Sequence, residues 1–403
     1  MTDRVLVVNC GSSSLKYRLV DVGAGEALAW GLAERIGQPA GRLTHSRPGA
    51  DPDVTEEPLP DHEAALTAAL AAFDRSGPPL ADAGLVAVAH RVVHGGDRFS
   101  APVLVDDDVV RAVRELAELA PLHNPVNATG IDVARRAFPD LPHVAVFDTA
   151  FHATLPAHAS TYAVPREWAR EHGVRRYGFH GTSHAFVSRG AAELLGRPLG
   201  ETNTVVLHLG NGASATAVAG GRSVDTSMGM TPLEGLVMGT RSGDVDPALG
   251  AHLNRVAGLG PAEVDRALNS ASGMLALAGT NDLREVHRRV ADGDAATAAD
   301  AALALDVFCH RVRRYVGAFM AVLGRTDAIA FTGGIGENDA VVRSRSLAGL
   351  EPLGVRLDEE RNGARAGGGR RVSADGSPVA VLVVPTDEEL EMARQTVDLL
   401  GSR

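Results

Sequence analysis

A chain of 403 residues is long enough for two domains, and at 45% hydrophobic and 22% charged it reads as globular. Its formal charge of −11, from 39 basic and 50 acidic side chains, argues against generic nucleic-acid binding, which needs a basic footprint. Cys10 and Cys309 show no CxxC or metal spacing, and neither a long uncharged apolar run nor a charged-then-apolar leader is present. The expectation is a reduced, cytoplasmic setting with no membrane span.

The chain opens on an apolar run at 5–8, followed by Asn9, Gly11 and three serines, then alternation through Tyr17 and Leu19. That pattern predicts strand, tight turn, strand. Lys16, just past the turn, is the only lysine among the 39 basic residues, a compact ammonium placed to meet a phosphate. The antiparallel set continues through 28–32, and residues 37–60, polar with Gly and Pro, read as a loop-rich excursion. Residues 61–73 carry an Asp cap and an apolar stripe, hence a helix. A buried strand at 85–90 delivers His90, Arg91, His94, Gly95 and Gly96 at its end, where ligands gather in open α/β sheets, so Arg91 suits an anion. Helices are expected over 107–119 and 127–137, separated by Pro-Leu-His-Asn-Pro at 121–125, and a strand over 143–147 ends in Asp148.

In the second half, Thr182 or Ser183 is expected to cap a helix running to Leu195, with His180 just before an N-terminus that favours anions. Residues 204–221 repeat the strand, turn, strand pattern around Gly210-Asn211-Gly212. Glycines there suit positive φ and let backbone N–H groups approach a phosphate. The spacing Gly210-x-Gly212-x-x-Ala215 also fits a dinucleotide fingerprint, but that requires a helix straight after the turn, and the alternation through Val218 favours a strand. Laying Gly11 on Gly210 aligns the two hairpins and suggests an internal duplication. Residues 225–246 lack periodicity, which in a compact chain marks a functional stretch, and their one cation is Arg241. Pro247 is expected to open a helix, with further helices over 282–290 and 295–323. A short strand at 328–331 leads into a three-glycine loop at 332–338, suited to adenine or ribose. A last strand at 379–384 precedes a final helix to Leu400, capped by Thr386 or Asp387.

Together these stretches resemble the acetokinase family over essentially the whole length: NCGSSSLK at 9–16, HRVVHGG at 90–96, PLHNP at 121–125, FDTAFH at 147–152, YGFHGTSH at 177–184, HLGNGAS at 208–214, DTSMGMTPLEGL at 225–236, GTRSGDVDP at 239–247, FTGGIGEN at 331–338 and PTDEEL at 385–390. The resemblance implies an α/β fold of duplicated ribonuclease-H-like domains, as in the sugar-kinase, heat-shock-chaperone and actin superfamily, with mixed sheets flanked by helices and ATP in the interdomain cleft. It implies a first domain over 1–150 plus 386–403 and a second over 151–385, paired as a homodimer mainly through the second. The implied reaction is reversible, in-line transfer of the ATP γ-phosphate to acetate, giving acetyl phosphate and ADP, with magnesium or manganese.

The same resemblance assigns roles. Asp148, His180, Arg241 and Arg91 would be catalytic, Asp148 as the family's acid/base and Arg91 on the acetate carboxylate. Val93, Leu122, Phe179 and Pro232 would line the pocket for the acetate methyl. Ser12, Ser14 and Lys16 would form one phosphate loop. His208, Leu209, Gly210, Asn211, Gly212, Asp282, Leu283, Arg284, Gly334, Ile335, Gly336, Glu337 and Asn338 would hold ATP, and Asn9 and Glu388 the metal. The chain departs from the family pattern at Ala276, which replaces a glycine, and at Asp387, which replaces an asparagine beside Glu388. Because acetate is already ionised at neutral pH, with a pKa of roughly 4–5 like a Glu side chain, Asp148 is expected to orient Arg91 or a metal-bound water rather than remove a proton. Propionate kinase is the nearest rival reading. A silent nucleotide-binding regulator is disfavoured by the retained charged residues, and an NAD-dependent oxidoreductase by the strand after Gly212.

Overall fold

The computed structural model describes residues 3–402 and divides into two compact units, Met1–Ala153 with Asp387–Arg403, and Thr154–Thr386. The first unit is built on eight strands: β1 (Arg4–Gly11), β2 (Ser14–Asp21), β3 (Glu26–Glu34), β4 (Gly41–Ser46), β5 (Asp53–Glu57), β6 (Leu85–Val92), β7 (Val103–Leu104) and β8 (His143–Phe147). They lie in the order β5-β4-β3-β2-β1-β6-β8-β7. The second unit holds β9 (Asn203–Leu209), β10 (Ala213–Ala219), β11 (Arg222–Thr226), β12 (Ala328–Thr332), β13 (Arg370–Arg371) and β14 (Ala380–Val383), in the order β11-β10-β9-β12-β14-β13.

The duplication is visible in the pairing. In the first sheet β3-β2-β1 are antiparallel and β1-β6-β8 parallel, and in the second β11-β10-β9 and β9-β12-β14 repeat that scheme. This five-strand core, twice over with helices packed on it, is the α/β ribonuclease-H-like arrangement. The hairpin turns differ by one residue: Gly11 pairs with Ser14 across Ser12-Ser13, whereas Leu209 pairs with Ala213 across Gly210-Asn211-Gly212.

Residues 37–60 are not a loop excursion but contribute β4 and β5, which pair antiparallel. Their alternation is faint in sequence because a glycine and a histidine occupy inward positions on either side of Leu43. His45 is buried, donating from Nε2 to the Gly77 carbonyl at 3.1 Å and accepting at Nδ1 from the Tyr17 hydroxyl at 2.8 Å. Tyr17 in turn covers Gly31 on β3, where any side chain would collide with its ring.

Helix His62–Ser76 starts on Asp61, whose carboxylate accepts from the Ala64 amide at 2.8 Å, and packs Leu66 and Phe73 into the core under β1–β4. Full burial of a side chain such as Phe73 stabilises by about 1.5–3 kcal/mol. The helix expected over 107–119 ends at Glu115 and tightens into a 3₁₀ turn. The next begins at Asn124, with Pro125 in its first turn, three residues earlier than expected. It meets β1 at Gly130, where a Cβ would collide with the Cys10 sulfur. In the second unit, Pro247 precedes rather than opens Leu249–Ala257, and helices Pro261–Ser270 and Gly273–Ala278 follow. The three-glycine stretch is itself a short helix, Gly333–Asn338. Gly333 makes the turn with φ +78 against the Leu209 backbone, where a Cβ would lie 2.7 Å from a carbonyl oxygen. No described helix is long and apolar enough to cross a membrane.

Candidate active site

In the first unit the chemistry collects at the ends of β6 and β8. Arg91 on β6 donates from Nε to Asp148 Oδ1 at 2.9 Å and from Nη2 to Oδ2 at 2.7 Å, a bidentate pair in which Asp148 is buried and Arg91 is 25% exposed. The Asp148 carboxylate pushes the Arg91 pKa further up, so this cation stays charged at any working pH. Helix Glu388–Gly401 packs against β1, β6 and β8 and brings Glu388 to the same place. Burial pushes the Glu388 carboxyl above its ordinary range. Asp148 and Glu389 act in the same direction, against Arg91 and Lys16.

The loop after β6 is held by residues that the sequence reading left unassigned. Asn127 accepts from the Val93 amide at 3.0 Å and donates to the Cys10 carbonyl at 2.9 Å, bracing the Arg91 and Asn9 strands together. Asn124 accepts from the His94 amide and donates to the His94 carbonyl, at 3.1 and 2.9 Å. Inward Asn residues at the start of an amphipathic helix are the signal that could have marked them. The first turn is fixed by His62, whose Nε2 donates to the Gly11 carbonyl at 2.8 Å, and leaves Ser12 and Lys16 exposed. Val93 is half-buried and Leu122 is 74% exposed.

Among the described residues no three His, Cys, Asp or Glu side chains gather as a metal cage. Magnesium does not require one, since it is commonly held by one or two carboxylates with waters and substrate phosphates. Glu388, a half-buried carboxylate crowded by Asp148 and Glu389, is a hard oxygen donor whose charge a divalent cation would stabilise. Asn9 supplies an amide oxygen on β1 beside Lys16 of β2. The residues fit the ion.

In the second unit His180 itself takes the N-cap position of helix Gly181–Leu195, so Thr182 and Ser183 lie inside the first turn rather than capping it. Its φ of +57 is left-handed, a strained conformation for a residue with a Cβ. The strain sets its ring on His208, with centroids 4.3 Å apart, and puts Nδ1 2.9 Å from Ser214 Oγ. Ser183 Oγ lies 2.8 Å from His208 Nδ1 and 2.9 Å from Thr386 Oγ1, which explains why these hydroxyls are not available as caps.

Neither Gly210 nor Gly212 adopts positive φ; their value is space. A Cβ on Gly212 would stand 3.5 Å from the His180 ring and 3.7 Å from Arg241 Nη1, so these three surround one small gap. Arg241 lies half-buried in the irregular stretch, with only a 3.5 Å contact to the Pro232 carbonyl and a 3.8 Å contact to the Met238 sulfur. No carboxylate among the described residues pairs with it, and burial lowers its pKa.

A cavity of about 770 Å³ beside this gap is lined by eight of the expected nucleotide residues: Gly210, Asn211, Asp282, Leu283, Arg284, Gly334, Ile335 and Asn338. His287, one turn beyond Leu283, and Asp339 also line it, joined by a 2.6 Å hydrogen bond from Nε2; the sequence reading had neither. The i, i+4 spacing of Leu283 and His287 was the available signal. Of the five other nucleotide residues expected in this unit, His208 stacks on His180 and Gly212 borders the gap beside His180 and Arg241, and three lie elsewhere. Leu209 points into the core, Gly336 is buried, and Glu337 accepts from the Gly333 and Thr386 amides. Arg343, 1% exposed, donates to the Gly336 and Glu337 carbonyls at 2.8 and 3.0 Å and so anchors that wall from behind.

A family model described as Acetokinase family matches residues 4–394. The chain belongs to the acetokinase family. Within that family it is similar to an acetate kinase of Leifsonia xyli subsp. xyli, 59% identical over 99% of each chain. An acetate kinase of Streptomyces griseus subsp. griseus is 56% identical over 99% of this chain and 97% of its own. Among solved structures, Porphyromonas gingivalis acetate kinase superposes with a TM-score of 0.93 at 41% identity, over 99% of this chain and all of the other. A propionate kinase from Francisella tularensis superposes at 0.90 with 40% identity, over 98% of both chains. This acetokinase-family chain therefore shares its complete fold with both.

Proposed function

We propose that this chain is an acetate kinase, transferring the γ-phosphate of ATP reversibly and in line to acetate, with magnesium, to give acetyl phosphate and ADP. The observation that carries the reading is Arg241: a guanidinium drawn out of water beside His180, with no acid among the described residues to balance it. Such a charge is costly until an anion arrives, and a transferring phosphoryl group is that anion.

The acceptor needs no general base, so the chemical problem is repulsion between a carboxylate and a polyanion. Arg91, already aimed by Asp148, would hold the acetate carboxylate and cancel its charge. His180 and Arg241 would stabilise the equatorial oxygens of the group in transfer, and Gly212 leaves those oxygens room. The nucleoside would occupy the cavity between Leu283 and Ile335, with Asn211, Asp282 and Arg284 at its polar rim and the serines and Lys16 of the first turn on the phosphates. Asn9 and Glu388 would hold magnesium, which would supply positive charge against the phosphates. Val93, Leu122, Phe179 and Pro232 would surround the acetate methyl. A cytoplasmic homodimer is part of the same proposal, resting on family membership.

Propionate is the second acceptor to weigh, since the propionate kinase shares the fold at 40% identity. One methylene changes discrimination by only about 1–3 kcal/mol, so acetate over propionate should be a preference. Hydroxylamine trapping of acyl phosphate with acetate, propionate and butyrate, each with ATP and magnesium, tests both readings. Acetyl hydroxamate in excess supports the first, propionyl hydroxamate in excess the second, and no hydroxamate from any acid refutes both.

A further inference from the structure

The stretch between β11 and helix Leu249–Ala257 has no regular structure, yet it carries Pro232 and Arg241. Much of what fixes it is one guanidinium. Arg176, 16% exposed at the side chain, donates from Nη1 to the carbonyls of Thr226, Ser227 and Met228 at 3.0, 3.2 and 3.1 Å. Its Nη2 donates to Glu234 Oε1 at 2.6 Å. The other Glu234 oxygen accepts from the Tyr162 hydroxyl, and that hydroxyl oxygen accepts from the Met230 amide at 3.0 Å. Gly229, enclosed by these groups, has no room for a Cβ against the Glu234 carboxylate or the Tyr162 hydroxyl.

Arg176 also belongs to the segment that leads to Phe179 and His180. The Tyr177 and Gly178 amides both donate to the Gly229 carbonyl, at 3.1 and 3.2 Å. One side chain and two backbone bonds therefore tie the Phe179–His180 segment to the Met230–Pro232 segment, and Arg241 touches the Pro232 carbonyl. Only a planar fork can reach three carbonyls and a carboxylate at once; an ammonium on a flexible stem cannot.

We propose that Arg176, with Glu234 and Tyr162, is a positioning device that sets the separation of Phe179 from Pro232 and thereby selects acyl chain length, while holding His180 and Arg241 in aim. The inference rests on the acyl-phosphate reading above. None of the three residues lines the nucleotide cavity, so their effect should fall on the acid and on turnover.

The test is steady-state kinetics with acetate and propionate on wild type, Arg176→Lys and Tyr162→Phe, with thermal unfolding of each. For Arg176→Lys we expect kcat with acetate to fall at least about tenfold, KM for ATP to stay within about twofold, and the propionate-to-acetate ratio of kcat/KM to rise about threefold or more. Tyr162→Phe, which removes one hydroxyl and keeps the ring, should shift that ratio in the same direction by about twofold and keep the protein folded should Arg176→Lys fail to fold. An unchanged ratio in the variants that fold, or equal losses with both acids that follow the fall in Tm, overturns the proposal. Wild type without activity on either acid refutes the kinase reading itself, whereas active wild type with indifferent variants refutes only this inference.

Discussion

Asp148→Asn separates the two roles open to that residue. Asn keeps one oxygen for Arg91 but turns an NH₂ group toward the guanidinium, so one of two charge-assisted hydrogen bonds is lost. Such bonds contribute about 1.5–3 kcal/mol each. Arg91 retains a solvated side at 25% exposure, so it is partly rehydrated and the loss should sit near the lower half of that range. About 2 kcal/mol of aim lost in the transition state is roughly a 30-fold fall in kcat. If Asp148 only orients, pH–rate profiles of wild type and Asp148→Asn should run parallel between pH 6 and 9, offset by that factor. The assay is hydroxamate formation under saturating ATP and magnesium across the pH series. A wild-type limb reporting a single ionisation that vanishes in Asp148→Asn, with magnesium affinity unchanged, would show proton transfer and refute the argument.

Three further outcomes follow from the same geometry. Arg241→Met should leave Tm equal or higher, because it removes an uncompensated half-buried cation, while kcat falls by about 100-fold or more; a clear loss of Tm would mean that the cation is balanced by something else. Gly212→Ala meets His180 and Arg241 at 3.5 and 3.7 Å, ordinary contact distances, so Tm should stay within about 2 °C while kcat falls about tenfold as the methyl group fills the phosphoryl gap; unaltered turnover would remove phosphate from that gap. The buried His90 donates from Nε2 to His143 Nδ1 at 2.9 Å, and burial lowers its pKa from 6.5 to about 3. The folded form then stays neutral where the unfolded chain takes a proton, so stability should fall as pH drops from 6.5 toward 3, by about 1.4 kcal/mol per unit from this group. His90→Asn should flatten part of that slope in urea titrations, and parallel slopes would contradict the assignment.

The paired hairpins, the strand-end placement of Arg91 and Asp148, and the cavity walls at 210–211 and 334–338 were legible because glycine turns and apolar runs are local signals, whereas Asp282, Leu283 and Arg284 came only with the family resemblance. What stayed hidden depends on tertiary contacts. β4 was missed because His45 is satisfied by Tyr17 and Gly77, partners 28 and 32 residues away, so a polar residue could face inward. Thr182 and Ser183 looked like caps on propensity, but Ser183 is engaged by His208 and Thr386, and the helix starts instead on a strained His180. No local pattern marks Arg176 or Arg343 in the sequence. Only the fold shows that each spends its guanidinium largely on backbone carbonyls behind the site.

These arginines divide by what balances them, and that division is itself an argument about mechanism. Arg91 is paired in advance by Asp148, which fixes the direction in which its guanidinium is aimed. Arg176 is engaged by three carbonyls and the Glu234 carboxylate, Arg343 by carbonyls and the Asn362 side-chain oxygen, and both serve geometry. Arg241 alone of these four lacks both a carboxylate partner and close carbonyl contacts, and it borders a gap beside a strained histidine. A fold that tolerates one unbalanced, partly desolvated cation and one left-handed side-chain residue at the same place has given up stability there. On the proposed reading the first cost diminishes when a trigonal, negatively charged group enters the gap, while the left-handed backbone holds the His180 ring where that group would meet it, so the site would favour the group in flight over either of its resting states.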